Sequence, residues 1–472
     1  MRAIYRGLAV LAYCLVMTAP SYGADFYACN DAESAPGLKG SLCAYQQAPM
    51  AGVSGGETIS LFIRKFPAPG PAKGSLWLIA GGPGESGASL YDRLPTVRRS
   101  FPDFDLLLPD HRGTGFSSRL CPREEAPDSP GGTGLVGAEW GSCFAWLANH
   151  PQQARQYSIT NAAADLALLL KTYRGNQPTY LYGVSYGTQL ILRTLQLGPA
   201  PVQGIILDSL VPRQSAAAWE LSRRSHVLDD VGRKVLAQCD ANADCHAMLG
   251  KPAAAALRDL LSKAALTPAL VETLPGRDLK RFLGNLLDVP AARARIPALI
   301  SSLAQGRHGE LDAVLADLME AQASLGNYPQ MQPSIPLVAL ISAAEKNLRP
   351  ELTLEQVERE EAGLLFTSSL PSLMVKPAVP LYVRDRYFDA LPAALPPTLV
   401  LHGTLDPKTH YEGALDHAAA LRRLGALSLV SVSDAPHFIL WTAPGCFTRH
   451  VKAFVDGQRA LDQTCPMLVS EP

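Results

Sequence analysis

Residues 181–190 read LYGVSYGTQL, in which a strand-forming run gives way to a helix-forming one across Gly183-Val184-Ser185-Tyr186-Gly187. A serine between two glycines at such a junction fits the G-x-S-x-G pattern, a sharp strained turn that lifts the hydroxyl clear of the backbone. The glycines have a steric task, since side chains on either side of so tight a turn would collide with neighbouring backbone. Chance alone produces the pattern in about one chain in five of this length at ordinary glycine and serine abundance. Its surroundings therefore decide what it means.

Outward from the turn, short apolar runs recur: TISLFIRKF (58–66), SLWLIA (75–80), FDLLLPD (104–110), PTYLYGV (178–184), VQGIILDS (202–209), PTLVLHG (397–403) and LSLVSVS (427–433). Helical patterns such as ITNAAADLALLLKTY lie between them. Strands apolar on both faces, alternating with helices, predict an α/β class with a mainly parallel central sheet flanked by helices. From about residue 213 the texture changes, and Leu311, Val314, Leu315, Leu318 and Met319 recur at helical spacing. The expected organisation is a first core segment (24–212), an inserted, mainly helical cap (213–385) and a closing core segment (386–472).

In an open α/β sheet, ligands bind beyond the carboxyl ends of the strands. Ser185 follows PTYLYGV, Asp406 follows PTLVLHG in LHGTLDPKTH, His437 follows LSLVSVS in SDAPHFIL, and the glycine-rich AGGPGESG (80–87) follows SLWLIA. Each has a bland reading alone: Asp406-Pro407 makes a good turn, and the glycines can form a plain loop. Jointly, the chain order serine, aspartate, histidine with every member after a strand points to nucleophilic catalysis. A serine hydroxyl is a weak nucleophile until an imidazole takes its proton, and the imidazole needs a carboxylate to fix its tautomer. Ser185 is thus the expected nucleophile, His437 the base and then acid, and Asp406 its orienting group. The backbone N–H groups of Tyr186 and Gly82 are expected to receive the oxyanion.

The formal charge of −1, from 42 basic and 43 acidic residues, gives no global pull toward nucleic acid or anionic membrane. At the amino terminus, Arg2 and Arg6 precede an apolar run and the small residues Ser21 and Gly23. This reads as a signal peptide (1–23) and predicts an exported protein, periplasmic or secreted. The alternative, a membrane anchor, falls short of the roughly 20 apolar residues that span a bilayer. Removing the segment takes Cys14 and leaves eight cysteines in four close pairs: Cys29 with Cys43, Cys121 with Cys143, Cys239 with Cys245, and Cys446 with Cys465. An even number in an exported chain predicts disulfides. With no C-x-x-C or H-E-x-x-H pattern, neither a metal nor a cofactor is expected.

With these residues in hand, the chain resembles the α/β-hydrolase peptidases that include prolyl aminopeptidases and, more closely, secreted tripeptidyl aminopeptidase-like proteins. The likeness rests on GVSYGT, GGPG (81–84), LPDHRGTGFSSRLC (108–121), IILDSLVP (205–212), LHGTLDP (401–407) and the carboxyl-terminal PHFILWTAPGCFTRHVKAFVDGQRALDQTC, whose Cys446 and Cys465 also look like the tripeptidyl type. Two departures stand out: Ala80 replaces the histidine that usually opens the glycine loop, and Pro407-Lys408-Thr409-His410 replaces Pro-Val-Thr-Pro.

The resemblance implies a peptide substrate with a free amino terminus, recognised by acidic residues of the cap. PLVALISAAEKNLRP would put Glu345 in that role, with Ala343 where a cysteine is usual, and Glu220 is a second candidate. A solvated glutamate on a cap helix is the rival reading of Glu345. Asp110, His111 and Arg112 belong to a loop signature whose expected role is structural, while His402, Trp219 and Trp441 pack in the core or line the pocket. The expected activity is that of an exported serine exopeptidase. A carboxylesterase on the same scaffold is the alternative, and a catalytically silent binding module is the reading from another class.

Overall fold

A computed structural model of the chain describes residues 25–50, 56–458 and 462–467, so the segment read as a signal peptide lies outside the described residues. Among the described residues ten strands make one sheet: β1 (Tyr27–Ala28), β2 (Leu42–Pro49), β3 (Thr58–Phe66), β4 (Gly74–Ile79), β5 (Phe104–Asp110), β6 (Thr179–Val184), β7 (Gly204–Asp208), β8 (Thr398–Gly403), β9 (Leu427–Ser433) and β10 (Gln463–Pro466). Their spatial order is β1-β2-β3-β5-β4-β6-β7-β8-β9-β10. The pairs from β1 to β5 are antiparallel, and every pair from β5 through β10 is parallel.

The unbroken apolar runs have a plain cause: successive side chains on each central strand enter opposite layers. Trp77, Leu181, Ile205, Leu207 and Val400 face one layer, with the helices Ile159–Tyr173, Tyr186–Leu197 and Tyr411–Leu421. Leu76, Leu78, Tyr182, Ile206, Leu399 and Leu401 face the other, with the helices Leu94–Ser100 and Pro444–Val455. At roughly 25 cal/mol per Å² of apolar surface removed from water, this double-faced burial is the chief stabilising term of the core.

Between β7 and β8 the described residues contain helices and no strand, and they build a separate apolar cluster around Leu228, Val231, Phe282, Leu283, Ile300 and Phe366. One helix of this excursion, Ile335–Glu345, instead lays Leu337, Leu340 and Ile341 into the core beside the sheet. The expected stripe at 311–319 is only partly buried: Leu311 and Val314 face the interior, while Met319 is 72% exposed. Disulfides join Cys29 to Cys43, Cys121 to Cys143, Cys239 to Cys245 and Cys446 to Cys465. The last ties the helix Pro444–Val455 to β10.

The loop after β5 is braced by buried charge. Asp110 accepts from the Gly87 N–H at 2.7 Å and the Phe116 N–H at 2.9 Å. Burial pushes its carboxyl up to about 6, against the opposing effect of those donors. Arg112 forms a fork to Asp165, Nε to Oδ2 at 2.6 Å and one terminal nitrogen to Oδ1 at 2.7 Å, with both side chains buried. Arg112→Met strands the Asp165 carboxylate and should cost about 3–5 kcal/mol. Urea unfolding checks this, and an unchanged midpoint would show that the pair does not brace the loop.

Candidate active site

Ser185 sits where β6 ends and the helix Tyr186–Leu197 begins, with φ 54° and ψ −122°. A side chain at such a positive φ is strained by about 1–3 kcal/mol and persists only where the surroundings over-determine it. Here the Ser185 N–H donates to the Asp208 carbonyl at 3.0 Å, and the Thr188 N–H and hydroxyl donate to the Ser185 carbonyl at 2.9 and 2.7 Å. The flanking glycines are sterically required. A Cβ on Gly183 would lie 2.7 Å from the Gly187 carbonyl, and one on Gly187 would lie 2.4 Å from the Ile79 oxygen at the end of β4.

The glycine loop after β4 presses directly on this turn. A Cβ on Gly81 would lie 3.4 Å from the Ser185 Cβ, and Gly82 takes φ +103°. The loops after β8 and β9 are equally close to each other, since a Cβ on Gly403 would meet the Ala435 oxygen at 2.2 Å. That approach brings Asp406 and His437 together, with Asp406 Oδ2 2.8 Å from His437 Nδ1.

Asp406 is fully buried and saturated with donors. Its Oδ1 accepts from the N–H groups of Lys408 and Thr409, both at 2.7 Å, and its Oδ2 from the Thr409 hydroxyl at 2.7 Å. Burial alone would raise its carboxyl, but the charge and hydrogen bond of His437, helped by His402 and the Thr409 N–H, hold it well below the usual carboxylate range.

A second buried aspartate, to which sequence reading assigned no role, anchors the histidine loop. Asp208, at the end of β7, accepts from the N–H groups of Ile439 at 2.8 Å and Leu440 at 2.9 Å, and from the Tyr182 hydroxyl at 2.9 Å. Ser209 completes the anchor by accepting from the Phe438 N–H at 2.8 Å. The signal was present in the strand-ending LDS of IILDSLVP, where a charged residue closes an otherwise apolar run.

Ser185, His437, Gly82, Glu220 and Glu345 line one cavity of about 500 Å³, walled on one side by the core loops and on the other by the helical excursion. Trp219 and Trp441 line it as well, Trp219 stacking on His410 at 3.9 Å. Tyr186 is buried behind the turn, and its N–H opens the helix that Ser185 precedes. Among the described residues no hydrogen bond joins the Ser185 hydroxyl to His437. Catalytic hydrogen bonds of this kind commonly tighten only once substrate is bound.

The two glutamates differ in how far they are committed. Glu220 accepts from the N–H groups of Ser222 at 2.9 Å and Leu348 at 3.2 Å, and from the Ser222 hydroxyl, so it caps the short helix Leu221–Arg223. Glu345 is buried, and accepts from Gln214 at 2.6 Å and the Tyr382 hydroxyl at 3.1 Å, with Arg193 at 3.7 Å. Lone-pair directions remain on its oxygens for one more donor. As for metals, Asp230, His410 and Glu412 bring three ligand atoms together. Lys234, however, pairs with both carboxylates, at 2.9 and 3.0 Å, and puts an ammonium in an ion's place.

The alpha/beta hydrolase fold family matches the chain over residues 75–444. Serine protease Hip1 of Mycobacterium tuberculosis, and that of Mycobacterium bovis, is 25% identical over 441 residues, covering 85% of this chain and 82% of the relative. Similar solved structures include a thermophilic esterase from Thermogutta terrifontis, at 14% identity and a TM-score of 0.37 over 88% of this chain and all of that one. A hydrolase from Pseudomonas aeruginosa gives 16% identity and a TM-score of 0.36, over 87% of this chain and 98% of the other.

Proposed function

The chain belongs to the alpha/beta hydrolase family, and from that premise we propose that it is an exported serine exopeptidase cutting peptide bonds near a free amino terminus. The observation that carries this reading is the His437–Asp406 pair, at 2.8 Å, whose imidazole lines the cavity that the strained Ser185 also lines. That the relative Hip1 is a serine protease by name supports a peptide over a simple ester. The four cystines support export, since disulfides persist in oxidising compartments.

In the proposed reaction the Ser185 oxygen attacks the scissile carbonyl carbon as His437 Nε2 takes its proton. The Tyr186 and Gly82 N–H groups receive the oxyanion, an interaction whose single donors are typically worth about 3–4 kcal/mol. His437 then passes the proton to the leaving amine, and water repeats the sequence on the acyl-enzyme. The helical excursion acts as the cap, and Glu345 meets the substrate's ammonium group there.

Hydrolysis of a matched chromogenic set tests the proposal: free-amine mono- and tripeptide anilides, the acetylated tripeptide anilide and a short acyl ester. Turnover of the free-amine anilides should exceed that of the acetylated one by about 10²-fold or more, the scale expected when a site built for a polar group finds it missing. Ester turnover without any peptide cleavage would instead make the protein a carboxylesterase.

A further inference from the structure

The cavity wall carries charge beyond what this chemistry uses. Of its carboxylates, Glu345 is assigned to the substrate's ammonium while held by Gln214 and Tyr382, Asp288 is ion-paired with Lys408, and Glu220 caps a helix. Glu85 is buried in the glycine loop, and burial pushes its carboxyl up toward the neutral form against the opposing charges of Lys408 and His437. Of the cations, Lys408 is taken by Asp288, and Arg213 by Asp389 at 2.6 Å.

Two cations are left over. Arg224 donates to the Pro407 carbonyl at 3.0 Å, and Lys346 holds its ammonium 5.2 Å from the centre of the Tyr186 ring. Neither has a carboxylate within ion-pair distance among the described residues. Burial first, and then the charge of Arg224, push the Lys346 amine down to about 7 against the opposing effect of Glu345, while burial lowers the Arg224 guanidinium against the opposing charges of Asp406 and Asp288, neither of which pairs with it. Two neighbouring like charges in a partly desolvated wall are costly unless an anion completes them.

We propose that Arg224 and Lys346 form a carboxylate-binding subsite of the cavity, selecting peptides that present an acidic group beside the cleaved bond. The assignment of a peptide as ligand rests on the exopeptidase reading. A guanidinium offers a planar fork to both carboxylate oxygens and an ammonium adds a movable donor, which together suit a carboxylate better than a neutral amide. The subsite lies against the residue after the nucleophile on one side, through Lys346 and Tyr186, and against the Asp406 loop on the other, through Arg224 and Pro407. Arg224 and Lys346 line the same cavity as Ser185, so the occupant expected is an acidic side chain near the scissile carbonyl or the terminal carboxylate of a short peptide.

Calorimetric titration of the full chain carrying Ser185→Ala tests this without turnover. The probes are three alanine-based tripeptide amides with a single glutamate at each position in turn, their glutamine counterparts, and the carboxyl-terminal glutamine peptide with a free terminal carboxylate. At one position glutamate should bind about tenfold or more tighter than glutamine, the scale of a charge-assisted hydrogen bond. Arg224→Gln and Lys346→Met, each added separately, should erase that preference while glutamine peptides keep their affinity. A gain confined to the free-acid peptide would identify the carboxylate as a chain terminus. The proposal is overturned if no carboxylate-bearing peptide binds better than its neutral counterpart, or if the preference survives both substitutions. A wild type that hydrolyses no peptide yet keeps the glutamate preference would refute the exopeptidase reading and leave the subsite standing.

Discussion

Ser185→Ala is expected to lower kcat by on the order of 10⁶-fold, the loss seen when a serine nucleophile is deleted from a comparable catalytic set. The fold should not register the change. Ser185 owes its φ of 54° to the Asp208 carbonyl and to Thr188, which grip its backbone and not its hydroxyl. Alanine pays the same backbone strain and loses one oxygen atom. The melting temperature should therefore move by no more than about 2 °C, within the range of substitutions that disturb no packing. A serine-directed fluorophosphonate should label wild type and leave the variant unmarked. Turnover that survives in the variant would mean that a different group attacks the substrate.

Asp406→Asn should lower kcat by about 10⁴-fold for a different reason. The carboxylate accepts at every contact: from His437 and the Thr409 hydroxyl at Oδ2, and from the Lys408 and Thr409 N–H groups at Oδ1. An asparagine has one oxygen and one NH₂ group. Its oxygen must stay with the two backbone donors, which turns the NH₂ group toward His437 Nδ1. That nitrogen then has to accept, the ring proton moves to Nε2, and the base can no longer take a proton from Ser185. KM should change little, because no atom of Asp406 lines the cavity. The wrong-tautomer account fails if the variant retains more than a tenth of wild-type kcat at neutral pH.

The central strands were legible because their runs are largely buried, so six of the seven apolar runs contain the strand found there and the seventh, SLWLIA, misses only Gly74 at the start of β4. The sheet's margins were not. In β2, LCAYQQAP interleaves buried and exposed residues, and β1 and β10 are short edges whose identity comes from pairing with distant segments. The four cystines were legible from spacing alone, since each closes a loop of 6 to 22 residues.

Placing Ser185, Asp406 and His437 at strand ends required only the strands. Asp208 was harder, because its partners Ile439 and Leu440 lie more than 230 residues away and meet it only through the sheet order. Arg224 and Lys346 lay beyond sequence reasoning for a related reason. A cation without a carboxylate partner is a statement about every neighbour around it, and the neighbours here, Tyr186, Asp288, and Pro407 with Lys408, come from three separated parts of the chain.

Strands β7 and β8 are paired neighbours although nearly two hundred residues separate them in sequence. The helical excursion therefore leaves the sheet and returns to it through two doorways about 5 Å apart, the spacing of adjacent strands. A segment attached this way can change at its outward helices without altering the strand pairing, but its helix Ile335–Glu345, whose Leu337, Leu340 and Ile341 are part of the core beside the sheet, has to stay. Ser185, His437 and Asp406, the proposed catalytic groups, all stand outside that excursion, whereas Glu345, Lys346 and Arg224 stand within it. On the proposed assignments, selectivity and chemistry are written on different stretches of polypeptide, so a graft that replaces the outward helices of the excursion and keeps Ile335–Glu345 is expected to alter the first and spare the second.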